Sequence, residues 1–180
     1  YWQSVADEGA TIVSVIPSIM ATLLRLDPGG TKADTERLRF ALCGAAPLPA
    51  TLWREFEDVF RVPVYQGYGL TETSFWVTCI PPDVPRRYET VGVPVDCDIR
   101  IDPEGATSSI ESDGKKRRST WLQDSDQSPV KSDEPTFGEI LIKTDGVTSG
   151  YYRNPKLTDA IVTTDGYIRT GDIGYLDDEG

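Results

Sequence analysis

A chain of 180 residues with a net charge of −11 and 38% hydrophobic content is an ordinary soluble composition. It argues against binding nucleic-acid backbones or anionic membranes, both of which require clustered Lys and Arg. The absence of histidine removes Ser-His-Asp and Cys-His nucleophile chemistry and any histidine metal site from these residues.

In chain order, Ser4–Glu8 reads as the end of a helix. Thr11–Ile16 is a continuous β-branched run, the pattern of a buried parallel strand. Pro17 suits a helix first turn, with Ile19, Met20, Leu23, Leu24 and Leu26 on one face until Asp27-Pro-Gly-Gly ends it. Leu38–Cys43 is a second strand, running into Gly44-Ala-Ala-Pro. A helix after Pro49 carries Leu52, Phe56, Val59 and Phe60 at helical spacing, and Val62–Gln66 is a third strand. Strand–helix alternation predicts a parallel sheet with right-handed crossovers, whose ligands sit at the carboxyl ends of the strands. Gly44–Pro47 and Gly67–Glu72 occupy that position on successive strands.

The stretch Gly67-Tyr-Gly-Leu-Thr-Glu-Thr73 gathers the parts of a metal-nucleotide site. Gly67 and Gly69 allow close backbone approach, Tyr68 offers a flat face, Thr71 a hydroxyl for a phosphate, and Glu72 a carboxylate for a hard cation such as Mg²⁺. The plainer alternative is a Gly-x-Gly turn followed by the start of a helix.

Past Pro81 the pattern shifts to alternating polarity. Residues 1–90 read as part of an α/β subdomain, and residues 91–180 as a small, mostly antiparallel unit resembling a distorted β-barrel. Residues 104–136, rich in Ser, Asp and Lys and containing Lys115-Lys-Arg-Arg118, read as a flexible surface insertion. This insertion is the place for a partner contact, although a solvated loop is the simpler reading. Glu139–Lys143 alternates as a strand, Asn154 can cap a helix with Pro155 at its first position, and Asp165-Gly166 is a turn. Tyr167–Thr170 leads to Thr170-Gly171-Asp172, and Ile173–Leu176 alternates again. Asp172 after a glycine turn suits acceptance of two ribose hydroxyls, or else serves as a turn residue. Cys43, Cys79 and Cys97 lack metal-ligand or disulfide spacing and read as reduced, buried thiols. No apolar run is long enough to span a bilayer, and a cytoplasmic location is expected. The start at Tyr1 without methionine and the stop at Gly180 read as ends cut from a longer protein.

Four ordered segments carry a resemblance: Gly67–Thr73, Gly138-Glu-Ile-Leu-Ile-Lys, Val147-Thr-Ser-Gly-Tyr-Tyr-Arg-Asn-Pro and Asp165-Gly-Tyr-Ile-Arg-Thr-Gly-Asp172. Together they resemble the adenylate-forming enzymes, and more closely acyl-CoA synthetases than peptide-synthetase adenylation domains, because Leu70 stands where the latter carry proline. The resemblance implies ATP-dependent activation of a carboxylic acid as an acyl-adenylate, then transfer to coenzyme A. Transfer to a carrier-protein thiol, or an inactive relative acting as a binding module, are its alternatives. It places Gly44, Ala45 and Ala46 on the adenine wall, Tyr68 on the base, Thr71 on the α-phosphate, Glu72 on Mg²⁺ and Asp172 on the ribose of ATP or AMP. It also implies an acyl pocket lined by Cys43, Gly67, Phe75 and Trp76, with depth left by Gly67, suited to a fatty or other hydrophobic acid. Phe75 and Trp76 could instead be core. The loop gripping the β,γ-phosphates would precede Tyr1, and the C-terminal domain with its adenylation lysine would follow Gly180, so this segment alone is expected to be inactive.

Overall fold

A computed structural model describes residues 1–26, 35–82, 85–105, 135–178 and 180. The Asp27–Gly30 stop, the Lys115–Arg118 tetrad and most of the expected insertion lie outside the described residues. The chain divides into two compact units. The first is made of Tyr1–Leu70 and Phe75–Val95, the second of Thr71–Ser74 and Asp96–Gly180.

The first unit is built on a five-stranded sheet. Strands β1 (Ile12–Val15), β2 (Phe40–Cys43) and β3 (Val64–Gly69) are parallel, as the alternating sequence predicts. Two antiparallel strands, β4 (Trp76–Cys79) and β5 (Val93–Pro94), extend it. The change of pattern predicts residues 91–95 to lie in the later β unit, but the pairing of β5 with β4 assigns them to this one.

Helices α1 (Trp2–Asp7), α2 (Pro17–Leu26) and α3 (Ala50–Phe60) contribute to a single core with the strands. Trp2, Met20, Trp53, Phe56 and Phe60 pack there against Val13, Val15, Ala41, Cys43 and Val64. The continuous apolar run of β1 predicted burial on both faces. Instead every second residue is buried, and Ile12 remains 43% exposed, because the core lies on one face of the strand. On α2 the buried positions are Pro17, Met20 and Leu23, whereas Ile19 and Leu26 face solvent; the expected five-residue stripe was too broad. On α3 the spacing Trp53–Phe56–Phe60 makes the buried ridge, with Leu52 and Val59 at its margin.

The α3 residue Glu57 fixes the entry to β3. Its carboxylate accepts the Val64 amide at 2.7 Å, Arg86 Nε at 2.8 Å and the Tyr88 hydroxyl at 3.0 Å.

The second unit carries an antiparallel sheet of β6 (Asp98–Asp102), β7 (Gly138–Lys143) and β8 (Ile168–Gly174), with Leu141, Ile142 and Ile168 buried. Helix α4 (Pro155–Ile161) starts as predicted. Asn154 Oδ1 accepts the Leu157 amide at 3.2 Å, and Pro155 stands at the first position, where no amide is needed. The Asp165-Gly166 turn is also present, with Gly166 at φ +87°. The strand expected to begin at Ile173 is instead the end of β8, which continues through a bulge at Thr170–Asp172.

Candidate functional site

The candidate residues fall on both units and are described unit by unit. In the first, β3 continues two residues beyond Gly67, so Gly67-Tyr-Gly is strand and not turn. Gly67 faces Cys79 and Tyr68 faces Thr78 on β4, and the register slips between Tyr68 and Gly69. This pairing brings Trp76 over the glycines. A Cβ on Gly67 would lie 2.1 Å from Trp76 Cδ2, and one on Gly44 would lie 2.8 Å from Trp76 Nε1. The depth expected above Gly67 is therefore filled by the indole of Trp76. Phe75 stacks on Trp76, with ring centroids 5.1 Å apart and planes 14° from parallel, and is 65% exposed. Trp76 thus rests on the backbone at Gly44 and Gly67, and Phe75 turns outward rather than into the core.

Gly44, Ala45 and Ala46 follow β2 directly, and Ala45 and Ala46 are exposed. Ala45 adopts φ +64°, a left-handed conformation that costs a non-glycine residue about 1 kcal/mol. Such strain tends to collect where a connection serves a ligand. Cys43, expected in the acyl pocket, belongs to the core. It is fully buried, its thiol approaches Met20 Sδ at 3.6 Å, and burial pushes its pKa up to about 12. Alternation along β2 turns its side chain away from the open face. Cys79 and Cys97 are only partly buried, contrary to the expectation for all three thiols.

In the second unit, Thr71–Thr73 form a single 3₁₀ turn, closed by the Ser74 amide donating to the Thr71 carbonyl at 3.1 Å. Residues 146–151 clasp this turn. Thr148 donates its amide to the Glu72 carbonyl at 2.7 Å, and Ser74 Oγ donates to the Gly146 carbonyl at 2.5 Å. The Tyr151 hydroxyl donates to Glu72 Oε1 at 2.6 Å, and this bond to a carboxylate raises the Tyr151 pKa. Thr71 is left exposed and Glu72 half-buried. Thr158 Oγ1 accepts the Tyr151 amide at 2.9 Å, which ties the clasp to the first turn of α4.

Asp172 sits on a bulge of β8. Between paired positions, β7 advances from Glu139 to Leu141 while β8 advances from Arg169 to Ile173, two steps against four. Three residues, Thr170-Gly171-Asp172, therefore stand opposite the single Ile140, a surplus of two, with Gly171 at φ +74° and Asp172 exposed. Thr170 Oγ1 donates to the Ile140 carbonyl at 2.7 Å and accepts the Asp172 amide at 3.0 Å. Glu139, only 7% exposed, accepts the Gly171 amide at 3.1 Å and Arg169 Nη1 at 2.7 Å.

Tyr151 and Glu139, which sequence alone does not single out although both lie in segments that carry the resemblance, join the candidate residues through these bonds. Among the described residues no group of three or more His, Cys, Asp or Glu could hold a metal ion. A single half-buried carboxylate fits a magnesium ion that arrives on nucleotide phosphates, not one caged by protein. No helix among the described residues is long and apolar enough to cross a membrane.

Comparison with known proteins gives a consistent result. The family described as AMP-binding enzyme matches residues 1–115. The chain is 32% identical to a sulfoacetate–CoA ligase of Cupriavidus necator, covering 100% of this chain and 30% of that protein. It is 30% identical to a 2-succinylbenzoate–CoA ligase of Bacillus cytotoxicus, covering 99% of this chain and 32% of that one. The ATP-bound crystal structure of MatB from Rhodopseudomonas palustris superposes with a TM-score of 0.73 at 29% identity, over 100% of this chain and 32% of its own. The chain therefore spans about a third of the length of these relatives.

Proposed function

The chain belongs to the AMP-binding enzyme family, and on that premise we propose that it is part of an ATP-dependent acid–thiol ligase forming acyl-coenzyme A. The observation that carries this reading is the Thr71–Thr73 turn, which follows the carboxyl end of a parallel strand and is clasped by residues 146–151. It presents an exposed hydroxyl beside a carboxylate already oriented by Tyr151. Ligands of open α/β sheets bind at such strand ends.

In this reading an oxygen of the substrate carboxylate bonds to the α-phosphorus of ATP, and the bond to pyrophosphate breaks. The thiolate of coenzyme A then bonds to the acyl carbon, and AMP leaves. Thr71 donates to an α-phosphate oxygen, where charge develops in the first step. Asp172 accepts the ribose hydroxyls, Gly44–Ala46 flank the adenine, and Tyr68 stacks on it. Glu72 would hold magnesium, whose charge offsets that of the phosphates.

The named relatives act on sulfoacetate and 2-succinylbenzoate, neither of them a fatty acid. Trp76 closes the space above Gly67, so we assign this protein a short or ring-bearing acid, with the Phe75–Trp76 stack as its apolar wall.

The test is to incubate the full-length protein with ATP, coenzyme A and a panel of carboxylic acids, and to detect acyl-CoA and AMP by mass. Thr71→Ala and Glu72→Gln should each lower kcat/KM by about 100-fold. Failure of every acid to yield AMP overturns the reading. AMP formation with acyl transfer only to a carrier-protein thiol replaces coenzyme A as acceptor.

A further inference from the structure

We propose that Glu139 is the positioning residue for Asp172, acting through the Gly171 amide. This inference rests on the reading that Asp172 accepts the ribose hydroxyls. A strand with a two-residue surplus does not hold a fixed shape through ladder bonds alone, since the surplus residues lose their cross-strand partners. Here each of the three bulge residues is tied down separately. Thr170 binds the Ile140 carbonyl, Gly171 donates its amide to Glu139 Oε1, and Asp172 donates its amide to Thr170 Oγ1. Glu139 is the charged member of this set, and it reaches Gly171 from the opposite strand.

A carboxylate this buried is costly unless both oxygens are matched. One takes Gly171 and the other takes Arg169 at 2.7 Å. Room for it is reserved by Gly105, where a Cβ would stand 2.6 Å from Glu139 Oε2. Gly171, by contrast, has nothing within 4 Å of its own notional Cβ. It is glycine for its φ of +74°, not for space. Backbone shape and buried acceptor therefore specify the same bulge, and the bulge sets where the Asp172 carboxylate points. An ion pair with Arg169 that only stabilised the sheet would not require the second bond to Gly171.

The test measures binding of AMP and of 2′,3′-dideoxy-AMP to the full-length protein by calorimetry. Asp172→Ala should abolish the preference for AMP. Glu139→Gln should weaken AMP by about 10-fold and leave dideoxy-AMP unchanged, while amide exchange at Gly171 accelerates. Should Glu139→Gln fail to fold, Glu139→Asp keeps the charge but is too short to span Gly171 and Arg169, and should shrink the preference similarly. If Asp172→Ala removes the preference and the Glu139 variants keep it, or weaken both nucleotides equally, the positioning role is wrong. If Asp172→Ala itself keeps the preference, the ribose reading falls and the inference with it.

Discussion

At Gly67 the missing side chain is a packing requirement set by Trp76. Gly67→Ala should destabilise the protein by about 1–3 kcal/mol, the usual cost of overpacking, read as a lower denaturant midpoint. Trp76→Leu in the same chain should recover part of the loss. Cys43 makes a second prediction. With its pKa raised from 9.0 to about 12, it stays a neutral thiol in the folded protein. Native protein at pH 8 should be alkylated at Cys79 and Cys97 before Cys43, checked by peptide mass. Above pH 9 the unfolded chain gives up the Cys43 proton and the folded one does not. The contribution of this group to stability is thus whole below pH 9 and lost as the pH rises toward 12. At this scale the sequence made chemical types legible but not directions. Cys43 stood next to Gly44 in the chain, and only the alternation of β2 sends its thiol into the core. Likewise a glycine looks like open space until the partner strand supplies an indole.

At the level of elements, the parallel order β1-β2-β3 and the capped start of α4 were readable because each rests on local pattern, β-branched runs in one case and Asn-Pro in the other. The extension of β3 through Gly67-Tyr-Gly and of β8 through Gly171 was not, since glycine reads as a break and only cross-strand pairing overrides it. The clasp over Thr71–Ser74 was equally hidden, because its bonds join residues more than seventy positions apart, as in Ser74 with Gly146. Gly150→Ala should destabilise this clasp markedly. Its φ is +134°, and an added Cβ would meet Thr158 Oγ1 at 2.7 Å, so a loss of about 1–3 kcal/mol is expected in denaturant titration. Tyr151→Phe should cost no more than about 1 kcal/mol, because it removes one partly exposed hydrogen bond. The Asp165 turn behaves differently with acid. Arg100, and then Thr163, hold the Asp165 carboxyl down at about 2, below its usual 3.8. That support is present above pH 3.8 and lost as the pH falls through 2.

For the molecule as a whole, membership of the family was legible because four segments kept their order across the chain. The chain spans about a third of its relatives, and we expect the 180-residue segment by itself to show no pyrophosphate exchange with any acid. Turnover in that assay would mean that every group needed for adenylation lies within these residues.

The allocation of the stretch 67–75 has a consequence for recombination. Leu70 ends one unit's share, Thr71–Ser74 belong to the other, and Phe75 returns to the first. Neither unit is a contiguous block of sequence. A chimera joined at any point from 75 to 145 inherits Glu72 from one parent and the Tyr151 that orients it from the other. Grafting between relatives should therefore preserve the Tyr151–Glu72 bond, and with it the folded stability read by thermal denaturation, best when residues 71–74 travel with 146–151, as two patches exchanged together across an otherwise untouched host.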